Sequence, residues 1–234
     1  MTNSANLRLL TFGCGLLLAA PLVATARESV CHPERWKDAM AAFEKEDQTD
    51  PPPEGGIVFV GSSSIRLWDL PKSFPDLPVI NRGFGGSELC DSVHFFDVLV
   101  ARHKPRVVVL YAGDNDVAGG KKAEPIHADF RAFVQQMKEK LPESRLVYVS
   151  IKPSLARWQF AEKMQDANRR IAAECKSDEE RCHFVDVWPP MLGADHKPRK
   201  ELFLDDGLHM NGEGYQIWAS LLVEEMQPHQ QSSP

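Results

Sequence analysis

Four short segments of the chain carry residues whose types and spacing suit nucleophilic chemistry. Leu204-Asp205-Asp206-Gly207-Leu208-His209 sets a carboxylate and an imidazole three residues apart on a tight turn. At that spacing Asp206 can bond one ring nitrogen of His209 and fix its tautomer, leaving the other nitrogen free to act as a base. Phe59-Val60-Gly61-Ser62-Ser63-Ser64 ends an apolar run. A glycine followed by small polar residues at a strand-to-helix turn exposes a hydroxyl and aims backbone N–H groups at the same spot. This is not the G-x-S-x-G elbow, because Ile65 stands at the second glycine. In Asn81-Arg82-Gly83-Phe84-Gly85-Gly86-Ser87, the glycines permit close backbone approach to a ligand, so that one N–H could serve an oxyanion. Ala112-Gly113-Asp114-Asn115-Asp116 offers an amide donor for developing negative charge. Taken singly, each segment also reads as an ordinary turn or N-cap. Asp114, Asp116, Asp205, Asp206 and His209 could ligate a metal, but no H-x-x-x-H or comparable spacing supports this, and neither metal nor cofactor is expected.

These segments need elements to hold them together. Short apolar or β-branched runs occur at Ile57–Val60, Val79–Ile80, Val107–Tyr111, Leu146–Ile151 and His183–Val187. Stretches with helical spacing lie between them, near Glu88–Arg102, Ile126–Lys140, Ala156–Cys175 and Gly212–Met226. Such alternation predicts a mostly parallel sheet with helices on both faces. Right-handed crossovers then bring the carboxyl ends of the strands to one edge, where ligands bind in such sheets. The first three chemical segments each follow a strand, and the fourth precedes the last helix. A helix-like stretch over His32–Glu46, stopped by Pro51-Pro52-Pro53, forms a lead-in.

The chain has 234 residues, 43% of them hydrophobic, which suits one α/β domain. Its net charge of −6 argues against nucleic acid as a partner and against a membrane-surface role. Arg8, the apolar run Leu9–Ala20 and Ala24-Thr25-Ala26 form the pattern of an export signal cleaved after Ala26. The run is short for a membrane span, so no stable insertion is expected after cleavage, and the protein is expected in the periplasm or outside the cell. The expected organisation is a signal over 1–26, a lead-in over 27–56, one α/β domain over 57–226 and a polar, disordered tail over 227–234. Beyond the signal stand Cys31, Cys90, Cys175 and Cys182, an even count that suits disulfides in an oxidising compartment. Of three connectivities, Cys175–Cys182 is favoured by closeness in sequence, and Cys31–Cys90 follows by elimination.

The four segments, in this order, resemble the SGNH branch of the GDSL esterase/lipase family across Ile57 to about Met226. The resemblance implies a three-layer α/β/α, flavodoxin-like sandwich with five central strands and no cofactor. It also implies Ser63 as nucleophile, Asp206 and His209 as its triad partners, and an oxyanion hole of the Ser63 N–H, the Gly86 N–H and the Asn115 amide. Ser62 stands where the family usually has aspartate, which leaves Ser62, Ser63 and Ser64 to be distinguished. Ser63 is favoured by the distance of Trp68 from Gly61.

The substrate expected is a small-molecule or glycan ester with a short acyl group, chiefly acetyl. Trp68, Tyr148, Trp158 and Trp188 are candidates to stack on sugar rings, and Arg82 and Arg157 to reach the site. Two other functions suit the same residues: acyl transfer to an alcohol, and carbohydrate binding without catalysis. Oligomeric state is not legible.

Overall fold

The computed structural model describes residues 31–227 and Met1. Apart from Met1, the expected signal lies outside the described residues, as does all but the first residue of the expected tail. Five strands form one sheet: β1 (Ile57–Gly61), β2 (Val79–Gly83), β3 (Val107–Tyr111), β4 (Arg145–Val149) and β5 (Cys182–Val185). The order is β2-β1-β3-β4-β5 and every pairing is parallel, so the sheet is flavodoxin-like, as expected. The chain moves outward to β2, returns past β1 to β3, and continues to β5. The order therefore reverses between β1 and β3, and their carboxyl ends flank a crevice.

The strand sequences account for their depth. Central strands β1, β3 and β4 are buried along their whole length, and their residues are largely β-branched or aromatic. Alternate residues feed two cores. Val58, Val60, Val108, Leu110 and Tyr148 face one, with Phe96, Phe130 and Phe133 upon them. Ile57, Phe59, Val107, Val109 and Tyr111 face the other, against Trp68 and Trp218. The first core is covered by α1 (Lys37–Thr49), α4 (Leu89–His94), α5 (Phe96–Leu99), α7 (Ala123–Lys140) and α8 (Ala161–Lys176). The second is covered by α2 (Ser63–Arg66), α3 (Leu70–Ser73) and α9 (Gly212–Leu222). A short helix, α6 (Asp114–Ala118), follows β3.

Helix α7 shows the pattern at work: Ile126, Phe130, Phe133 and Met137 recur on one side and are buried, while Lys138 and Lys140 lie in its last turn. The single helix expected near Glu88–Arg102 is instead two short ones. Phe95 leaves helical geometry between them (φ −96°, ψ 19°), and the break seats Phe96 and Leu99 in the core.

Both expected disulfides form. Cys175–Cys182 joins the end of α8 to β5, and Cys31–Cys90 ties the lead-in to α4. Arg82 does not reach the site. Its guanidinium is buried against α1, paired with Glu46 at 3.3 Å and with Asp47, because an edge-strand arginine needs carboxylates once a helix covers it. Among the described residues no helix is long and apolar enough to cross a membrane.

Candidate active site

The site forms where β1 and β3 end. Gly61, last in β1, has φ +137°, and a Cβ there would lie 1.8 Å from the Tyr111 carbonyl oxygen of β3. Only glycine permits the chain to turn there. Ser62 then stands at the N-cap position of α2, and the three serines diverge: Ser62 and Ser64 are buried, and Ser63 alone is partly open to solvent. As the first residue of a helix, Ser63 has a backbone N–H with no intrahelical acceptor. Asn81 of β2 locks this turn. Its amide donates to the carbonyls of Ile65 (2.8 Å) and Trp68 (3.2 Å).

Across the crevice, the segment before α9 folds back on itself. The Leu204 N–H donates to the His209 carbonyl, and Gly207 sits at φ +62°. Asp206 closes the turn: its Oδ1 accepts from the N–H groups of Leu208 and His209, each at 2.9 Å. Its Oδ2 lies 2.5 Å from His209 Nδ1, and His209 Nε2 lies 3.0 Å from Ser63 Oγ. The bond from His209, with the backbone donors, holds the Asp206 carboxyl down at about 2, so it is ionised throughout the neutral range. Neither the Ser62 nor the Ser64 hydroxyl meets the imidazole.

The second and third segments complete the crevice. Gly86 turns with φ +81°. Asn115, on α6, is held at both ends: its Nδ2 donates to the Ser87 carbonyl (2.8 Å), and its Oδ1 accepts from Arg157 Nη2 (2.9 Å). Ser63, Gly86, Asn115 and His209 all line one open cleft of about 370 Å³. Arg66, Gly85, Arg157 and Leu208 complete its walls.

Arg157, a sequence candidate to reach the site, lines this cleft, but sequence reasoning missed the buried charges linked to it. Asp114 is buried, its Oδ2 lying 3.0 Å from Arg157 and 3.4 Å from Lys152 Nζ. Burial alone would raise the Asp114 carboxyl, but the two cations outweigh it and hold the group below its usual value. Lys152 is itself buried, 3.2 Å from the Tyr111 hydroxyl, and burial pushes its ammonium down despite Asp114. The available signal was a lysine in Ile151-Lys152-Pro153, at the carboxyl end of an apolar strand run. A second buried charge, Asp116, accepts from the Leu89 N–H and from Lys121 Nζ (3.0 Å), which ties the Gly86 segment to α6. Burial raises the Asp116 carboxyl to about 7 against the opposing pull of Lys121.

Trp68, Tyr148 and Trp188 are buried in the cores, and Trp158 lies tilted against Trp188 with ring centroids 6.0 Å apart. None of the four lines the cleft, so the expected sugar-stacking surface is absent among these residues. Their rings contribute more as packed apolar area than as exposed platforms.

A parallel α/β/α sandwich with serine, histidine and aspartate gathered at its switch point is an arrangement suited to a hydrolase of the serine class. The model of the GDSL-like lipase/acylhydrolase family matches residues 66–217, and the chain belongs to that family. It is 27% identical over 192 residues to platelet-activating factor acetylhydrolase IB subunit alpha1 of Bos taurus, covering 77% of this chain and 78% of that one. A GDSL-like lipase from Bacteroides thetaiotaomicron superposes with a TM-score of 0.67 at 25% identity, covering 83% of this chain and 97% of the other. An acetylxylan esterase from Geobacillus stearothermophilus shares the fold at 16% identity (TM-score 0.62, covering 76% and 96%).

Proposed function

We propose that the protein is an exported esterase that hydrolyses short-chain acyl esters, chiefly acetates, of small molecules or glycans. The observation that carries this reading is the hydrogen-bonded chain from Asp206 through His209 to Ser63. His209 Nε2 takes the Ser63 proton as Oγ attacks the ester carbonyl. Negative charge on the carbonyl oxygen is met by the N–H groups of Ser63 and Gly86 and by the Asn115 amide. The tetrahedral intermediate collapses as His209 returns the proton to the leaving alkoxide. Water, deprotonated by the same imidazole, then cleaves the acyl-enzyme and releases the acid. Asp206 stays ionised and steadies the imidazolium formed in both halves.

Support for a short acyl group comes from the open, limited cleft and from the acetyl esters named for the bovine relative and for the Geobacillus neighbour. Export is supported by the leader pattern and by two disulfides. In this reading residues 27–56 buttress a catalytic domain spanning 57–226.

Hydrolysis of 4-nitrophenyl acetate by the chain from Arg27 onward, beside Ser63→Ala and His209→Ala, tests the proposal. Release of 4-nitrophenol should fall by at least about 10³-fold in both variants. Activity retained in Ser63→Ala would remove Ser63 as the nucleophile. An inactive wild-type chain would return the carbohydrate-binding alternative to the front.

A further inference from the structure

The cleft is lined by two arginines and a histidine and by no carboxylate, in a chain with 33 acidic and 27 basic side chains. The arginines are not equivalent. Arg157 is committed to Asp114 and to the Asn115 amide, whereas Arg66 has no carboxylate partner among the described residues. Arg66 is nonetheless placed. Its guanidinium lies against Gly85, where a Cβ would meet Nε at 2.8 Å and Nη2 at 3.2 Å. Gly85 thus leaves room for a planar cation beside Gly86 and one helical turn from Ser63. A guanidinium with open donors, at the mouth of an ester-cleaving site, is suited to bidentate contact with a carboxylate or a phosphate.

We propose that Arg66 binds an anionic group on the alcohol portion of the substrate, so that the preferred substrates are acyl esters of carboxylate- or phosphate-bearing alcohols such as uronic acids or sugar phosphates. The inference rests on the short-acyl reading above: an acetyl group has no room for a charge, so the anion belongs to the alcohol. The other charges facing the cleft do not repel it. Asp206 lies behind the His209 ring, on the side away from Ser63, and Asp114 is buried between Lys152 and Arg157.

The test uses three substrates acetylated at one common hydroxyl: galactose, galacturonic acid and galactose 6-phosphate. They differ only at the sixth carbon. For the wild type, kcat/KM for one or both anionic acetates should exceed that for the galactose acetate by about tenfold. The advantage should shrink between 0.05 and 0.5 M salt, roughly as the screening length shortens. In Arg66→Gln the anionic-to-neutral ratio should fall to between one and three. Arg66→Lys should keep part of it, as a point charge without the fork. A preference for only one anion identifies whether carboxylate or phosphate is the group bound. Equal wild-type rates on all three acetates would overturn the proposal while leaving the esterase intact, as would a ratio unchanged in Arg66→Gln. Should no ester be cleaved, calorimetric titration of Ser63→Ala with galactose, galacturonate and galactose 6-phosphate decides the site by itself. Tighter anion binding that is lost in Ser63→Ala/Arg66→Gln upholds it, and equal binding refutes it.

Discussion

Arg157→Met separates positioning of the proposed oxyanion donor from the chemistry itself. The Asn115 amide has two orientations related by a flip, and both of its ends are held: Ser87 accepts from Nδ2, and Arg157 donates to Oδ1. Loss of Arg157 leaves a single neutral bond to keep the amide in place. Re-immobilising a freed side chain costs about 0.5–1.5 kcal/mol. Loss of the charge-assisted bond that polarises the amide removes about 1 kcal/mol more. Together these reach about 2 kcal/mol, or ~30-fold in kcat, against the factor of about 10²–10³ expected for deleting the donor outright in Asn115→Ala. KM for a neutral acetate should move by less than about threefold, because the amide is asked to act chiefly in the transition state. The assay is 4-nitrophenyl acetate hydrolysis in a double-mutant cycle, with a thermal melt to register the partner that Asp114 loses. In an Asn115→Ala background, Arg157→Met should cost almost nothing further in kcat. An equal cost in both backgrounds would refute the argument, since Arg157 would then act by a route that bypasses Asn115.

Three other expectations follow from the geometry. Asp206→Asn should lower kcat by about 10²–10⁴ with little change in melting temperature, since the amide cannot steady an imidazolium or hold the same tautomer as firmly; an activity within tenfold of wild type would contradict that role. Gly61→Ala should prevent folding or destabilise the protein by at least about 3 kcal/mol, because its Cβ would overlap the Tyr111 carbonyl and φ is +137°; soluble expression and denaturant titration report it. His103 is buried beside Asp47, Arg82 and Arg102, and burial pushes its imidazole from 6.5 down to about 4. The unfolded chain therefore takes the proton first as pH falls. The contribution is complete above pH 6.5 and is lost between 6.5 and 4, by roughly 3 kcal/mol in all. His103→Gln should flatten that limb of the stability profile, and an unchanged slope would exclude His103 as its source.

The fold was legible because its signals are local and repeated. Val107–Tyr111 is apolar in an unbroken run that only a strand buried on both faces needs, and Ile126, Phe130, Phe133 and Met137 mark one side of a helix. The break at Phe95 was not legible, since the apolar spacing of Val93, Phe96 and Leu99 is compatible with one continuous helix. In the structure the chain breaks at Phe95, and Phe96 packs edge-on against Phe133 with ring centroids 5.0 Å apart.

For the site, the sequence by itself determined the chemical types and their local turns. Asp206 and His209 lie three residues apart, and their bond is a property of one loop. The tertiary structure decided everything that depends on contacts remote in sequence. Ser63 stands 146 residues from His209, and which of three adjacent serines reaches the imidazole depends on how α2 leaves β1. Trp68 and Tyr148 have the chemistry of a sugar platform, but both are core residues because their strands and turns face inward. In the sequence Arg157 is a candidate to reach the site and Asp114 a turn residue or possible metal ligand, while nothing singles out Lys152. Their linkage, with Asp114 and Lys152 buried and Arg157 half-buried beside Asn115, depends on β3 and β4 lying side by side, so that each charge replaces solvent the others have lost.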